Sequence, residues 1–231
     1  ELIMASTYTD LGIELMATGE NAGTWGTKTN NNLNLIEQLT GGFATLSIAG
    51  GAGTQALDID DGALTGTAQQ RIIEFTGSIT GNRIITIPND VETFYILKNS
   101  TSGAYTVQFK YATGSGSSTT FSATDKGIKT VYASANDGTN PDIVDVMANS
   151  SEIVLANNNP IKFNDADNSA FVGIDAPATV SGSYTLTLPA AVGSASQALV
   201  TTDGAGTLGF TSTSTFGITT GKAIAMAIVF G

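Results

Sequence analysis

The run Tyr105-Thr106-Val107-Gln108-Phe109-Lys110-Tyr111 sets the expected fold class. Its odd-numbered members are aromatic or β-branched, and its even-numbered members are polar. Because side chains along a β-strand point alternately to opposite faces, this two-residue period predicts a strand with one buried face. The same period recurs in 184–188. Runs rich in β-branched and aromatic residues predict further strands at 83–87, 95–98 and 129–132.

Turn-forming residues separate these predicted strands, at 99–103, 113–118 and 136–138. Strands at roughly ten-residue spacing, with no helix between them, are typical of antiparallel sheets. The sequence therefore predicts a mainly β protein built of short antiparallel β-sandwich or barrel modules. Residues 76–88 can be laid on 178–189, which indicates either two modules of related design or the chance likeness of two Thr-rich strands that end in Pro.

One short N-terminal helix precedes the β-rich part. Thr27 or Thr29 is its expected cap, Gly41-Gly42 its expected end in a left-handed conformation, and its expected length is about three turns. Before it, 11–15 alternates as a short half-buried strand. Trp25, ahead of the helix, is either a core anchor or a docking residue. The helical stripe that must dock on something comprises Leu33, Leu35, Ile36 and Leu39.

These shifts in pattern divide the chain into three parts. They are an N-terminal attachment segment at 1–45, a first β module at 46–150 and a second β module at 151–231. The second module ends in the strand 223–230, which is apolar on both faces, so Ile228 and Phe230 are further assembly candidates. That strand is covered either by the chain's own core or by other copies along a threefold axis.

Composition limits the possible partners and chemistry. The net charge is −11, the nine basic residues are scattered, and charged residues make up only 13% of the chain. Nucleic acid and anionic membranes are therefore not expected partners. The longest apolar run, 223–230, is too short to span a bilayer. No secretory signal is visible at the start, where Met4 is a candidate initiator, so residues 1–3 need not be native.

Neither a catalytic site nor a cofactor or metal site is predicted. The chain contains no His and no Cys, which removes the commonest general base, thiolate nucleophiles and disulfides. The segment 217–223 differs from a phosphate-binding loop in its spacing. Two acidic loops, 58–62 and 164–168, are either cation sites or turns in which Asp and Asn bond their own backbone. The paired carboxylates that glycan cleavage requires cannot be located from sequence.

Four stretches resemble motifs of a known family. The segment Gly23–Gln38, with its Gly-Thr-Trp-Gly start, is similar to a signature near the beginning of many tailed-phage tail-fibre and virion structural proteins of marine cyanophage or pelagiphage type. Residues 165–191 and 201–208 resemble a repeated module of such fibres. Asp175 stands where that module usually has Lys, and Val192 where it has an acidic residue. The last residues, 221–231, are similar to the closing residues of the same proteins.

The resemblance implies a non-enzymatic structural protein of a phage particle, a tail fibre or virion-surface component. It further implies a homotrimer that binds other virion proteins and contacts the host surface, including host glycans. Four alternatives stay open: a capsid decoration protein, an adaptor, a glycan-cleaving fibre and a bacterial surface adhesin. The low proportion of charged residues also favours self-association. Strand edges without charged side chains need a closed sheet or pairing with other copies of the chain.

Overall fold

A computed structural model describes residues 5–155 and 159–216. The chain is mainly β with one helix, as predicted, and forms two compact units, Glu1–Ile153 and Val154–Gly231. The N-terminal segment and the first β module lie in the same unit. The strands and helix of this first unit are β1 (Thr7–Tyr8), β2 (Glu14–Leu15), α1 (Trp25–Gly41), β3 (Phe43–Ser47), β4 (Gly53–Ala56), β5 (Ile72–Thr76), β6 (Arg83–Ile87), β7 (Thr93–Asn99), β8 (Val107–Tyr111), β9 (Thr119–Phe121), β10 (Ile128–Ala133) and β11 (Ile143–Asp145).

The first unit is wound as three stacked coils. Strands β3, β5 and β7 are parallel neighbours in one sheet, and β4, β6 and β8 are parallel neighbours in the other. The chain crosses to the second sheet in each coil, from β3 to β4, from β5 to β6 and from β7 to β8, and it returns to the first sheet from β4 to β5 and from β6 to β7. Antiparallel strands complete both sheets, giving the orders β11-β10-β7-β5-β3 and β4-β6-β8-β9.

The prediction of antiparallel modules is therefore wrong for the four pairings that define the coils. A two-residue period reports which face of a strand is buried, but it carries no information about the direction of the neighbouring strand. Direction is set by the connections. Here a corner follows β3, β5 and β7 and carries the chain to the opposite sheet, whereas a hairpin would return it beside the same strand.

Glycines occupy corresponding corners of the three coils. Gly50, Gly77 and Gly103 have φ values of 116°, 99° and 100°, a region that side chains with a Cβ rarely adopt. A Cβ on Gly103 would lie 2.2 Å from the carbonyl oxygen of Ile79. Backbone bridges between Gly50 and Ile79, and between Ser78 and Ser102, continue the stacking through these corners.

The core lies between the two sheets. From Val107 onward the predicted alternation holds, because Val107, Phe109 and Tyr111 are buried, while Tyr105 lies outside β8 and is exposed. The Phe109 ring contacts Tyr95 of the opposite sheet edge to face, with centroids 5.5 Å apart. The hydroxyl of Tyr111 donates to the carbonyl of Val91 at 2.7 Å, and burial raises the pKa of Tyr111 to about 12. The largest fully buried side chains also include Phe75, Phe121, Ile73, Ile85 and Leu97.

Two expectations for the N-terminal part need correction. The helix begins at Trp25, with Thr24 as its N-cap residue, and spans 17 residues. Gly42 is extended, with φ −64° and ψ 145°, because the chain enters β3 without a connecting turn and the Gly42 carbonyl accepts the N–H of Ile72. In β2 the polar residue faces inward: Glu14 is buried and Leu15 is exposed, the reverse of the expected pattern.

The part of the second unit that the structure describes has little interior of its own. Its elements form two separate two-stranded sheets, and none of its residues from 159 to 214 is buried. The strand expected at 184–188 is absent from the described structure, where Thr187 forms only an isolated bridge with Thr207. Residues 76–88 and 178–189 thus differ in conformation. The elements are β12 (Ile161–Asn164), β13 (Phe171–Ile174), β14 (Gln197–Thr201), β15 (Leu208–Ser212) and a 3-10 turn, Thr213–Phe216.

Within the described ranges, no helix combines the length and the hydropathy that a bilayer crossing requires.

Truncating Phe109 to Ala tests whether the core between the sheets holds the first unit together. Because Phe109 is fully buried against the opposite sheet, we expect the free energy of unfolding to fall by about 3–5 kcal/mol. Urea unfolding followed by tyrosine fluorescence measures the change. The matched control is Gln108→Ala on the outer face of β8, where we expect a loss of about 1 kcal/mol or less. Equal effects would contradict the assigned core.

Candidate assembly surfaces

One face of α1 is fixed to the rest of the first unit. Leu35 and Leu39 are buried, and the side-chain amide of Asn32 pairs with the backbone of β2. Asn32 Nδ2 donates to the carbonyl of Glu14 at 2.8 Å, and Asn32 Oδ1 accepts the N–H of Glu14 at 2.9 Å. This amide occupies the hydrogen-bonding position of a neighbouring strand. The orientation of the helix is therefore determined by named contacts and leaves a defined opposite surface.

A buried carboxylate strengthens the same junction. Lys28 Nζ of α1 lies 3.0 Å from Glu14 Oε2, and Asn21 Nδ2 donates to Glu14 Oε1 at 3.2 Å. Burial by itself would raise the pKa of Glu14, but the Lys28 ammonium and the hydrogen bonds outweigh it and hold that pKa below its ordinary value. The carboxylate in turn raises the pKa of Lys28. The ion pair gives Glu14, and not the apolar residues beside it, the inward position in β2.

An apolar stripe on α1 faces solvent beside the buried face. Trp25, Leu33 and Ile36 are 65%, 58% and 44% exposed, and their spacing places them along one side of the helix. We call these three residues the helix stripe. Of the five helical candidates predicted from sequence, the structure brings these three together and uses Leu35 and Leu39 for internal packing. Trp25 is not a core anchor.

The outer faces of the two coil sheets differ in character. The five-stranded sheet exposes Phe43 and Phe94, and the Phe94 ring contacts that of Tyr132 with centroids 5.0 Å apart. On the outer face of the four-stranded sheet, Gln108 of β8 donates to Ser118, a polar contact. The larger sheet is thus the more apolar of the two surfaces. The sequence analysis did not predict this apolar outer face. Phe94 directly precedes the buried Tyr95 in β7, so the two side chains point to opposite faces of the sheet.

The second unit exposes apolar side chains on its hairpins and in the segment between them. Val172, for example, is 72% exposed, and Val192 is 94% exposed. Lys162 Nζ lies 4.3 Å from the centroid of Phe171, so even the single charged residue of β12 covers an aromatic ring. We call the exposed large apolar residues of this part the hairpin set: Ile161, Phe163, Phe171, Val172, Ile174, Val180, Tyr184, Leu186, Leu188, Val192, Leu199 and Phe210.

The acidic side chains of both loops accept hydrogen bonds from residues that follow the loop in the chain. Asp58 Oδ1 accepts the N–H and the hydroxyl of Thr67, and these bonds lower the Asp58 pKa. Asp165 accepts the Ser169 hydroxyl at 3.1 Å and the Ala170 N–H at 3.2 Å. In the described part of the chain, no three acidic side chains are grouped so that they could hold a metal ion.

The remaining two sequence-predicted candidates, Ile228 and Phe230, lie outside the described residues, as do Met4 and the segment 217–223. Of the hairpin set, Tyr184, Leu186 and Leu188 belong to a strand that the sequence predicts, whereas the other members lie outside the predicted strands. The alternation of 184–188 was visible in the sequence, but it predicted burial within the chain.

Comparisons with protein-family models, with curated proteins and with solved structures found no match to this chain.

Lowering the pH tests the Glu14–Lys28 junction. Because the folded pKa of Glu14 lies below its ordinary value of 4.5, the stability that its charge contributes is present above pH 4.5 and is lost as the pH falls through the folded pKa. We expect wild type to be more stable than Glu14→Gln near neutral pH, with the difference shrinking in acid. Urea unfolding at several pH values measures it. Glu37→Gln, at an exposed position of the same helix, is the control; a pH-independent difference for Glu14→Gln would contradict the assignment.

Proposed function

We propose that this chain is a non-enzymatic structural component of a tailed-phage particle, a tail fibre or virion-surface protein that works as a homotrimer. The observation that carries the proposal is the hairpin set, because its apolar side chains have no cover within the described chain. The similarity of 23–38, 165–191 and 201–208 to phage fibre motifs supports the same class. Its role is particle architecture and contact with the host surface through burial and shape.

The energetics of the second unit favour association. A two-stranded hairpin alone is marginally stable in water, and its strands need a third strand or a packed face. Full burial of a large apolar side chain contributes roughly 1.5–3 kcal/mol, so covering even part of the hairpin set outweighs the entropy of association. A chain of this kind is stable when neighbouring chains cover it.

Copies of the same chain are the partners that best fit this need. The hairpins expose apolar residues at successive positions of β13, Phe171 and Val172, so both faces require cover. A single partner on one side leaves the other face in water, whereas rotation about a closed symmetry axis surrounds each copy. β14 and β15 carry no charged residue, so covering these two strands brings no like charges into contact there.

The helix stripe fits attachment to other virion proteins. It lies on a helix whose neighbouring face is fixed by Leu35, Leu39 and Asn32, so its three side chains are presented beside that buried face. A central aromatic anchor beside aliphatic residues is the usual composition of an interface core. Removing 1–45 as a whole would also remove part of β3, so point substitutions test the stripe better.

Light scattering combined with a hairpin variant tests the oligomer. We expect the chain to have about three times its mass of 23.5 kDa in solution. Val172→Asp places a charge in the covered surface and should lower the mass to that of one chain while the tyrosine signals of the first unit persist. Thr120→Asp, an exposed position of β9, should leave the mass unchanged. A wild-type monomer would contradict the homotrimer.

The triple substitution Trp25→Ser, Leu33→Ser and Ile36→Ser tests attachment. Because these side chains are exposed, we expect a folded chain of unchanged oligomeric mass that no longer enters particles assembled in its presence. The measurement is the amount of tagged chain that sediments with purified particles. Thr27→Ser with Asn30→Ser, exposed positions on another side of the same helix, should be incorporated normally. Normal incorporation of the triple variant would refute the role of the stripe.

A further inference from the structure

The two ends of the stacked coils are finished differently. At the last coil, the strands and loops of the two sheets bond each other: Ser117 N–H donates to Asp142 Oδ1 at 2.7 Å, and Ile143 N–H donates to the Ser117 carbonyl at 3.0 Å. Ser115 N–H likewise donates to Asn140 Oδ1 at 2.8 Å. The backbone at that end is thereby largely satisfied. At the first coil, β3 is an edge strand whose only sheet neighbour is β5.

Half of the backbone groups of β3 point away from β5. The N–H of Ile72 donates to the Gly42 carbonyl, and the N–H of Ile48 donates to the Thr76 carbonyl, both at 2.9 Å. In a parallel ladder, alternate residues bond the same neighbour, so the even-numbered residues of β3 face β5. The N–H and C=O groups of Phe43, Thr45 and Ser47 consequently lie on the open edge. No protein partner for these groups is found among the described residues.

A groove follows this open edge. One part, about 130 Å³ in volume, is lined by Thr45 and Leu46 together with Leu64. An adjoining part of about 640 Å³ shares Leu64 with it and reaches Phe43 and the end of α1. Phe43 and Leu64 are exposed apolar side chains at the junction. An extended segment laid along β3 would cover both of them while bonding the open backbone groups.

The groove also contains an acceptor that lacks a donor. Gln38 Nε2 donates to the Leu64 carbonyl at 3.1 Å, which fixes the orientation of the amide. Gln38 Oε1 on the other side of that amide is buried and has no hydrogen-bond partner within the described chain. A buried acceptor without a donor lowers the stability of the fold by about 1–3 kcal/mol until a donor binds it. Glu37 is the one charged residue lining either part of the groove, so the surface suits a neutral strand.

We propose that the open edge of β3 receives a β-strand from a second copy of this chain. This inference rests on the self-association in the proposed function and specifies where one of its contacts forms. A second copy supplies what the edge requires, because among the described residues the hairpins β12–β13 and β14–β15 are each sheets of two strands. Addition of a strand satisfies the backbone of both partners, and side chains at alternate positions enter the groove.

Residue-resolved hydrogen exchange on the full chain tests the proposal directly. Thr54 and Ala56 of β4 provide an internal reference: the N–H groups of Gly53 and Leu57 donate to the carbonyls of Asn82 and Thr86 on the side of β6, so the amides of Thr54 and Ala56 lie on an open edge. We expect the amides of Phe43, Thr45 and Ser47 to exchange at least about a hundredfold more slowly than those of Thr54 and Ala56. Light scattering of the same sample records its mass.

The outcomes separate this contact from the proposed function. An assembled chain with slow exchange at the three β3 amides supports the strand addition. An assembled chain whose β3 amides exchange as fast as the β4 reference overturns it and leaves the homotrimer standing. A monomer overturns both, even with slow exchange at β3, because the cover would then come from the same chain.

A proline pair provides the second readout. Thr45→Pro removes one open-edge donor and leaves the bonds to β5 in place, since Thr45 N–H faces away from β5. We expect its apparent dissociation constant for self-association to rise about tenfold or more, whereas the matched Thr54→Pro should change it by less than about threefold. Equal effects of the two substitutions, or no effect of Thr45→Pro in a folded chain, would overturn the assignment to β3.

Discussion

The contact between Phe109 and Tyr95 represents the constraint on which the first unit depends. These two rings belong to different sheets, and the ring centroid of Phe75 lies 6.5 Å from that of Phe109 across the same interior. Because the chain crosses between the sheets in every coil, each coil places inward residues on both sides of this core. Loss of the contact between the sheets would leave two half-covered sheets with no alternative interior.

The same winding explains the exposed surfaces. Stacking coils satisfies backbone groups between neighbouring coils, but it leaves a strand edge at each end of the stack. The last coil is closed by bonds between 115–117 and 140–143, whereas the first coil is left with β3. The N-terminal hairpin and α1 do not close that edge. The hairpin and the helix are joined to each other through Glu14 of β2 and through Asn32 and Lys28 of α1. This arrangement leaves both the helix stripe and the groove beside β3 accessible.

The second unit follows a different physical rule. Its alternating and β-branched sequence specifies strands, but within 159–216 its hairpins have no third strand or packed layer that would bury them. Apolar residues such as Val172 and Leu188 therefore remain in contact with water in the single chain. Among the described residues, the buried apolar side chains therefore lie in the first unit, whereas the apolar side chains of the second unit are exposed or half-buried.

Much of the strand content was readable from sequence, because alternation such as Val107, Phe109 and Tyr111 directly encodes a buried face. The helix was also readable from its spacing, although not its start at Trp25. Strand direction was not, because the corner glycines that send the chain to the opposite sheet look like ordinary turn residues. Nor could periodicity separate Leu35, which is buried, from Leu33, which is exposed. Only the tertiary structure decides these points, since burial depends on which surfaces meet and the sequence pattern records only that a surface is apolar.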